Sequence, residues 1–412
     1  MLRIGVVMYQ TSLSKGQELV AQRMTRELIQ QGHQAILITS RFHDSQPIFT
    51  SQELASNRGY VHYEDKELGI PVVRVDSHKV DWPPRRINFR NFTAILHRLV
   101  NDFNLNVLIT HSTLWNGPDL TAQFVAWQRH LSAQESRGKK MLFCHMSHFQ
   151  SPHNERYSLR ERTFREVWND YSLTRIIKEA DLLLVVSPEI KDYMLRLGAK
   201  KNQCTLFSGG IHVPKTKKQE EQEEFRHKYD IPMDTKIVTF LGTVEERKNA
   251  LLITDVAEIL KDRNDITFVI AGRLEGRYGN TVASKANDLQ NMRVLGEVSE
   301  DSKSALVSAS YLNLTLSKVE ALGLAQLEFM SAGVPVVTSG VGGQSWIVKN
   351  GETGIILKGP NDVTGAALAI EKLVADQSYR DQMGRKAKKF ACDFSISLLI
   401  EDLVEKLKAR IK

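Results

Sequence analysis

Short runs of β-branched and aliphatic residues alternate along the chain with longer stretches whose apolar residues recur every three or four positions. The first pattern predicts strands buried on both faces, the second amphipathic helices. A strand is predicted at residues 2–8. A helix follows over 17–31, with Leu19, Val20, Met24, Leu28 and Ile29 on one face, and Gly32 stops it before a new strand at 35–39. Further strands are predicted at 72–75, 106–110, 140–144, 182–186 and 205–207, and helices at 92–103, 120–131 and 164–180.

Between Pro214 and Arg226 the texture becomes polar and densely charged, which predicts a linker leading into a helix start. A second alternating series begins after it. Strands are predicted at 236–241, 266–271, 292–295, 311–314 and 334–338, and helices at 249–261, 303–308, 324–332, 363–375 and 378–390. The last segment, 396–411, reads as an amphipathic helix with Leu398, Leu399, Leu403 and Leu407 along one side. Strands alternating with helices predict α/β architecture, and the two series predict two doubly wound domains in tandem. Their boundaries fall at 1–212, with a helix at 392–412 returning to that domain, and at 213–391. Ligand sites in such sheets lie beyond the carboxyl ends of the strands, so two facing domains would enclose a cleft.

Composition agrees with two ordinary cores: of 412 residues, 42% are hydrophobic and 25% charged. The apolar start is too short for a signal peptide, and no apolar run is long enough to span a bilayer. Three well-separated cysteines, Cys144, Cys204 and Cys392, argue against a disulfide framework and for a reducing cytoplasm. Charge adds one asymmetry. Residues 1–212 carry 27 basic and 20 acidic side chains, while the remainder carries 28 of each, so the whole excess of +7 lies in the first half. That surface suits an anionic substrate or an anionic membrane leaflet, or is ordinary surface variation. Basic clusters occur at Arg85, Arg86 and Arg90 beside Trp82, and at Arg156, Arg160, Arg162 and Arg165.

Candidate chemistry is densest in the second half. Glu320 and Glu328, with seven residues between them, fall in a loop after a predicted strand and about one turn into the next helix. Carboxylates there can accept hydrogen bonds from sugar and ribose hydroxyls, or form an acid pair favoured by the helix dipole. Arg247 and Lys248 follow the strand ending at Gly242 and can neutralise a diphosphate. Gly16, Gly272 and the pair Gly342-Gly343 sit at turns where backbone amides can approach phosphate, though simple turns explain them equally well. His145, read as emerging at a strand's carboxyl end, can donate to a sugar hydroxyl or departing phosphate, or be structural; His111 is a second candidate. No Asp-x-Asp and no metal-spaced Cys/His cluster occurs, which predicts no metal requirement.

In order, these pieces resemble glycosyltransferase family 4, retaining enzymes of the GT-B fold. The segments carrying the resemblance are KGQELVAQRMTRELIQQGH from Lys15, ADLLLVVSP from Ala180, GTVEERKN from Gly242 and EALGLAQLEFMSAGVPVV from Glu320. The resemblance implies transfer of a hexose from a UDP- or GDP-sugar, without metal, to an acceptor hydroxyl. Glu320 would hold donor-sugar hydroxyls, Glu328 the ribose, Arg247 and Lys248 the diphosphate. Gly16 would let the first loop approach the diphosphate, and the backbone of Gly323 and Leu324 would meet phosphate or sugar oxygens. His145 would lie near the reacting carbon, and the last helix would cross back to the first domain.

The chain departs from that pattern at several points. Thr243 stands where an arginine is common, Lys15 replaces the first glycine of a Gly-Gly loop, and Ala321-Leu322 replaces Gly-Phe. These departures bear on donor identity rather than fold. The acceptor belongs either to surface glycan or glycolipid synthesis, with a lipid-linked acceptor at the inner membrane face, or to a small soluble, phosphorylated class. A nucleotide-sugar epimerase of similar architecture is the rival enzyme, and no nucleic acid is expected.

Overall fold

The opening apolar run forms strand β1 (Arg3–Met8), and the amphipathic segment behind it forms the helix Gly16–Gln30. β2 (Gln34–Ser40) lies parallel to β1. β3 (Tyr60–Asp65) pairs antiparallel with β4 (Ile70–Val75), which joins β2. On the other side of β1 lie β5 (Val107–Ser112), β6 (Leu142–Ser147), β7 (Leu182–Val185) and β8 (Cys204–Leu206), all parallel. The sheet order is β8-β7-β6-β5-β1-β2-β4-β3, so the winding reverses between β1 and β5. Ile4, Val6 and Val7 are all buried, as a parallel strand covered on both faces requires. These are features of a computed structural model that describes residues 1–12, 16–80, 86–112, 125, 127, 129, 141–148, 159–213 and 216–411.

The second sheet comprises β9 (Lys236–Leu241), β10 (Ile266–Ala271), β11 (Met292–Gly296), β12 (Ser310–Thr315), β13 (Val336–Thr338) and β14 (Gly354–Ile356). Its order, β11-β10-β9-β12-β13-β14 and wholly parallel, is that of a dinucleotide-binding sheet, with the reversal between β9 and β12. Phe240, Phe268, Leu312 and Leu314 from the strands pack with Ile253, Val256, Ile370 and Leu373 from the helices Leu251–Ile259 and Val363–Ala375. Contacts divide the chain into two compact units, Met1–Gly210 with Ile396–Lys412, and Ile211–Ser395.

The last helix, Ile396–Ile411, belongs to the first unit. Gln31 Nε2 donates to the Ser397 carbonyl at 3.0 Å and Arg410 to the Asn202 carbonyl at 2.5 Å. Its buried stripe is Ile396, Ile400, Leu403, Val404 and Leu407, whereas Leu398, expected on the apolar side, is half exposed. Ile29 is likewise exposed on the first helix. Within the expected linker, the described residues from Gln219 onward are helical. The helix Gln219–Lys228 has Glu220 and Glu221 in its first turn and Arg226, His227 and Lys228 in its last, which suits its dipole. Phe225 anchors it against Ile231 and Ile237. The predicted helix at 120–131 lies almost wholly outside the described residues. No helix among the described residues is long and apolar enough to cross a membrane.

Candidate functional site

Reversal of strand order between β9 and β12 opens a crevice at their carboxyl ends, and two loops fill it. The first runs from Gly242 to Asn249 and carries Arg247 and Lys248 on a single 3-10 turn. Asn249 closes that turn in the left-handed conformation, which asparagine tolerates, and its side chain donates to the Pro360 carbonyl at 2.9 Å. The second loop leaves β12 and carries Glu320. A backbone bond of 2.8 Å from the Lys318 amide to the Arg247 carbonyl joins the two.

Lys248 Nζ pairs with Glu320 Oε2 across this junction, both side chains largely buried. Burial alone would push the Glu320 carboxyl up. The Lys248 ammonium, the Arg247 guanidinium and the Ala321 amide outweigh it and hold the group below the usual carboxylate range. Arg247 is a third exposed and pairs with Glu245 at 2.7 Å. Both cations are thus paired with carboxylates, Lys248 in the more buried pair and Arg247 in the more open one.

Gly323 adopts φ 101° and caps the helix Leu324–Ser331. A side chain at 323 would collide with the Gln326 amide oxygen. The first-turn amides of that helix, beginning at Leu324, have no intrahelical acceptor and present partial positive charge at the crevice. Glu328 sits one turn further, 5% exposed, with Lys303 Nζ 3.4 Å from its carboxylate. Gly272 has φ 135°, and a Cβ there would strike the Gly242 carbonyl, so this glycine lets the loops after β9 and β10 touch. Gly342 and Gly343 pack on the backbone of Glu320, Ala321 and Leu322 rather than standing free for a ligand. The structure therefore brings Arg247, Lys248, Glu320, Gly323, Leu324 and Glu328 to one edge of the second sheet.

In the first unit Gly16 opens the first helix and is exposed, with open space on its Cβ side, while Lys15 lies outside the described residues. His145 requires correction. The strand expected to end at Cys144 runs to Ser147, so His145 lies within β6, fully buried, with Nδ1 2.8 Å from the Thr110 hydroxyl. The carboxyl-end position belongs to His148, whose Nε2 lies 2.9 Å from His111 Nδ1. Burial lowers all three histidines, His145 to about 3 and His148 to about 4, so each is neutral at pH 7.

Two further groups are not singled out by the residue pattern. Glu18, in the first helical turn, is buried and accepts from Tyr9 Oη at 2.8 Å and Gln10 Nε2 at 2.9 Å. Burial first, then the Glu18 charge, pushes the Tyr9 phenol up. An acid directly after a Gly-containing loop was the available signal. Lys303, the partner of Glu328, was the other. Of the basic clusters, Arg90 pairs with Asp76 at 3.8 Å, while Trp82, Arg85 and Arg156 fall outside the described residues, as do the side chains of Arg86, Arg160, Arg162 and Arg165. Among the described residues no group of three or more His, Cys, Asp or Glu is placed to hold a metal ion.

Comparison with known proteins places these features. Residues 14–214 match the family model of Glycosyltransferase Family 4, and residues 221–390 match that of Glycosyl transferases group 1. D-inositol 3-phosphate glycosyltransferase of Corynebacterium diphtheriae is 28% identical over 243 residues, 56% of either chain. The 2-deoxystreptamine N-acetyl-D-glucosaminyltransferase of Niallia circulans is 33% identical over 150 residues, 36% of this chain and 38% of that one. The chain thus spans about half the length of the first of these relatives, and less of the second. Among solved structures, sucrose-phosphate synthase from Thermosynechococcus elongatus superposes with a TM-score of 0.72 at 17% identity, covering 100% of both chains. Anabaena Alr3699/HepE in complex with UDP-glucose gives 0.73 at 13% identity, covering 99% of this chain and 100% of that one. The fold is GT-B, as the residue motifs implied.

Proposed function

We propose, for a chain that belongs to glycosyltransferase family 4, that it moves a hexose from a nucleotide-diphosphate sugar to an acceptor hydroxyl, with retention and without metal. The observation that carries this reading is the Lys248–Glu320 pair at the β9/β12 crevice, beside the more open Arg247 and the amino end of Leu324–Ser331. Glu320 can accept from donor-sugar hydroxyls while Lys248 and Arg247 neutralise the diphosphate. The bond from the sugar's anomeric carbon to the diphosphate breaks through an oxocarbenium-like state. The acceptor oxygen bonds to that carbon on the same face, and its proton passes to the departing phosphate oxygen. Positioning and charge stabilisation then suffice, which accords with the absence of an evident general base among the described residues around Glu320.

A small phosphorylated acceptor is the reading favoured over a lipid-linked one, on the strength of the phosphorylated inositol named in the Corynebacterium relative. The test is a screen of UDP-, GDP- and ADP-sugars, each with and without chelator, scored by nucleotide release and thermal shift. UDP-hexoses come first, given the ligand of the Anabaena protein. Release with one donor, unaffected by chelator and lost in Lys248→Ala, supports the reading. Silence with every donor and acceptor would sink it.

A further inference from the structure

Two buried histidines at the carboxyl edge of the first sheet form a directed pair. Met146 of β6 lies opposite His111 of β5, so His148, two residues beyond Met146, falls on the same face as His111. His111 Nδ1 is 2.9 Å from His148 Nε2, and the rings stack with centroids 5.2 Å apart. One nitrogen must donate and the other accept.

Burial decides which. His111 is fully buried, and its Nε2 has no hydrogen-bond partner. A proton on Nε2 would be a buried donor with nothing to receive it, whereas a bare acceptor there is the cheaper orphan. The His111 proton therefore sits on Nδ1 and is donated to His148 Nε2. That leaves the His148 proton on Nδ1, since the ring's hydrogen bond to a described residue is made at Nε2. The backbone at this point is held as well. Gln17, in the first turn of Gly16–Gln30, donates to the His148 carbonyl at 3.3 Å, and its own Oε1 is buried and unpaired.

We propose that His111 is a positioning residue that locks His148 in the Nδ1–H form, so that His148 offers one N–H to an oxygen of the sugar substrate. The inference rests on the glycosyl-transfer reading for its substrate class, but the tautomer itself does not. His145 takes no part, because strand alternation puts it with Thr110 on the other face of the sheet.

The experiment is a long-range 1H–15N correlation spectrum of full-length protein labelled at histidine, compared for wild type, His111→Phe and His111→Gln. Steady-state kinetics accompany it on the donor that wild type turns over. His148 should be protonated at Nδ1 in wild type. His111→Phe should move that proton to Nε2 and lower kcat about tenfold, the size of one lost neutral hydrogen bond, with donor KM unchanged. His111→Gln, whose amide still donates, should restore both the Nδ1–H signature and most of kcat. An Nε2–H signature for His148 in wild type overturns the proposal, as does a Phe variant with unaltered tautomer and kcat. Should the Phe variant fail to fold, the wild-type and Gln spectra decide alone. A protein that turns over no donor defeats the glycosyl-transfer reading, and its spectra still decide the pair.

Discussion

Gly342 lies directly against the carbonyl of Glu320, so near that a Cβ at 342 would overlap that oxygen. The neighbouring Gly343 amide donates to the same carbonyl at 3.3 Å. A glycine far along the chain thus sets where the Glu320 loop rests. Its φ of 58° adds a second reason for glycine. Gly342→Ala must therefore displace the loop or strain the turn, at about 1–3 kcal/mol. We expect a lower unfolding midpoint in urea together with weaker donor-induced thermal stabilisation. An alanine variant matching wild type in both would refute the packing account.

The Lys248–Glu320 pair makes a second prediction. Glu320 is held below the usual carboxylate range, so its ionised form is worth more in the folded protein than in the unfolded chain. That contribution is present above the unfolded pKa, about 4.3, and is lost as pH falls through the lower folded pKa. Lys248→Met removes the cation and leaves a largely buried carboxylate. The expected loss at pH 7 is about 2 kcal/mol, between the values for exposed and fully buried pairs. Lys248→Met/Glu320→Gln should recover part of it. A double-mutant cycle at pH 7 measures the coupling, and additive single losses would contradict the pairing.

Much of this was legible from residue pattern because apolar runs with sharp polar edges leave little freedom. β9 and β10 coincide with their expected limits, since each is a short, mainly apolar and β-branched run ended by glycine. The pattern failed where buried residues are polar. His145, Met146 and Ser147 continue β6 beyond its apolar stretch, and that shift moved His145 from the strand's end into its body. β3, an edge strand with half-exposed alternating residues, and the helix Gly276–Asn287, broken in composition by Gly279, gave no periodic signal. Gly279 is there because a Cβ would crowd the backbone of Leu274. Arg247, Lys248 and Glu320 were readable as residue types on loops after strands, but their mutual contact is tertiary. Lys303 was hidden for a related reason: beside Glu300 it reads as an ordinary helix-surface pair.

That hidden lysine should matter more than its exposed partner. Lys303 lies 2.8 Å from Glu300 and 3.4 Å from Glu328, yet Glu300 is almost fully solvated and Glu328 is buried. Lys303→Met deprives a buried carboxylate of its ammonium, at about 2 kcal/mol. Glu300→Ala removes a surface partner, worth under about 0.5 kcal/mol. Urea unfolding and donor thermal shift should both separate the variants in that order. Equal effects would mean that Lys303 does not act through Glu328.

The buried histidines predict an acid limb in stability. Their pKa values are lowered in the folded state, to about 3 for His145 and about 4 for His148, with His111 well below normal, burial being the first cause in each. Unfolded histidine titrates near about 6.5, so below that pH the unfolded chain binds protons that the folded chain refuses. Stability is therefore complete above about pH 6.5 and declines on acidification towards the folded values. The limiting slope is about 1.4 kcal/mol per pH unit for each such histidine. Urea midpoints measured between pH 7 and pH 5 should fall steadily. His145→Gln should flatten that fall, because an amide keeps a partner for the Thr110 hydroxyl and has no proton to gain. A midpoint independent of pH across this range would mean that these imidazoles already accept protons when folded, against the burial of all three.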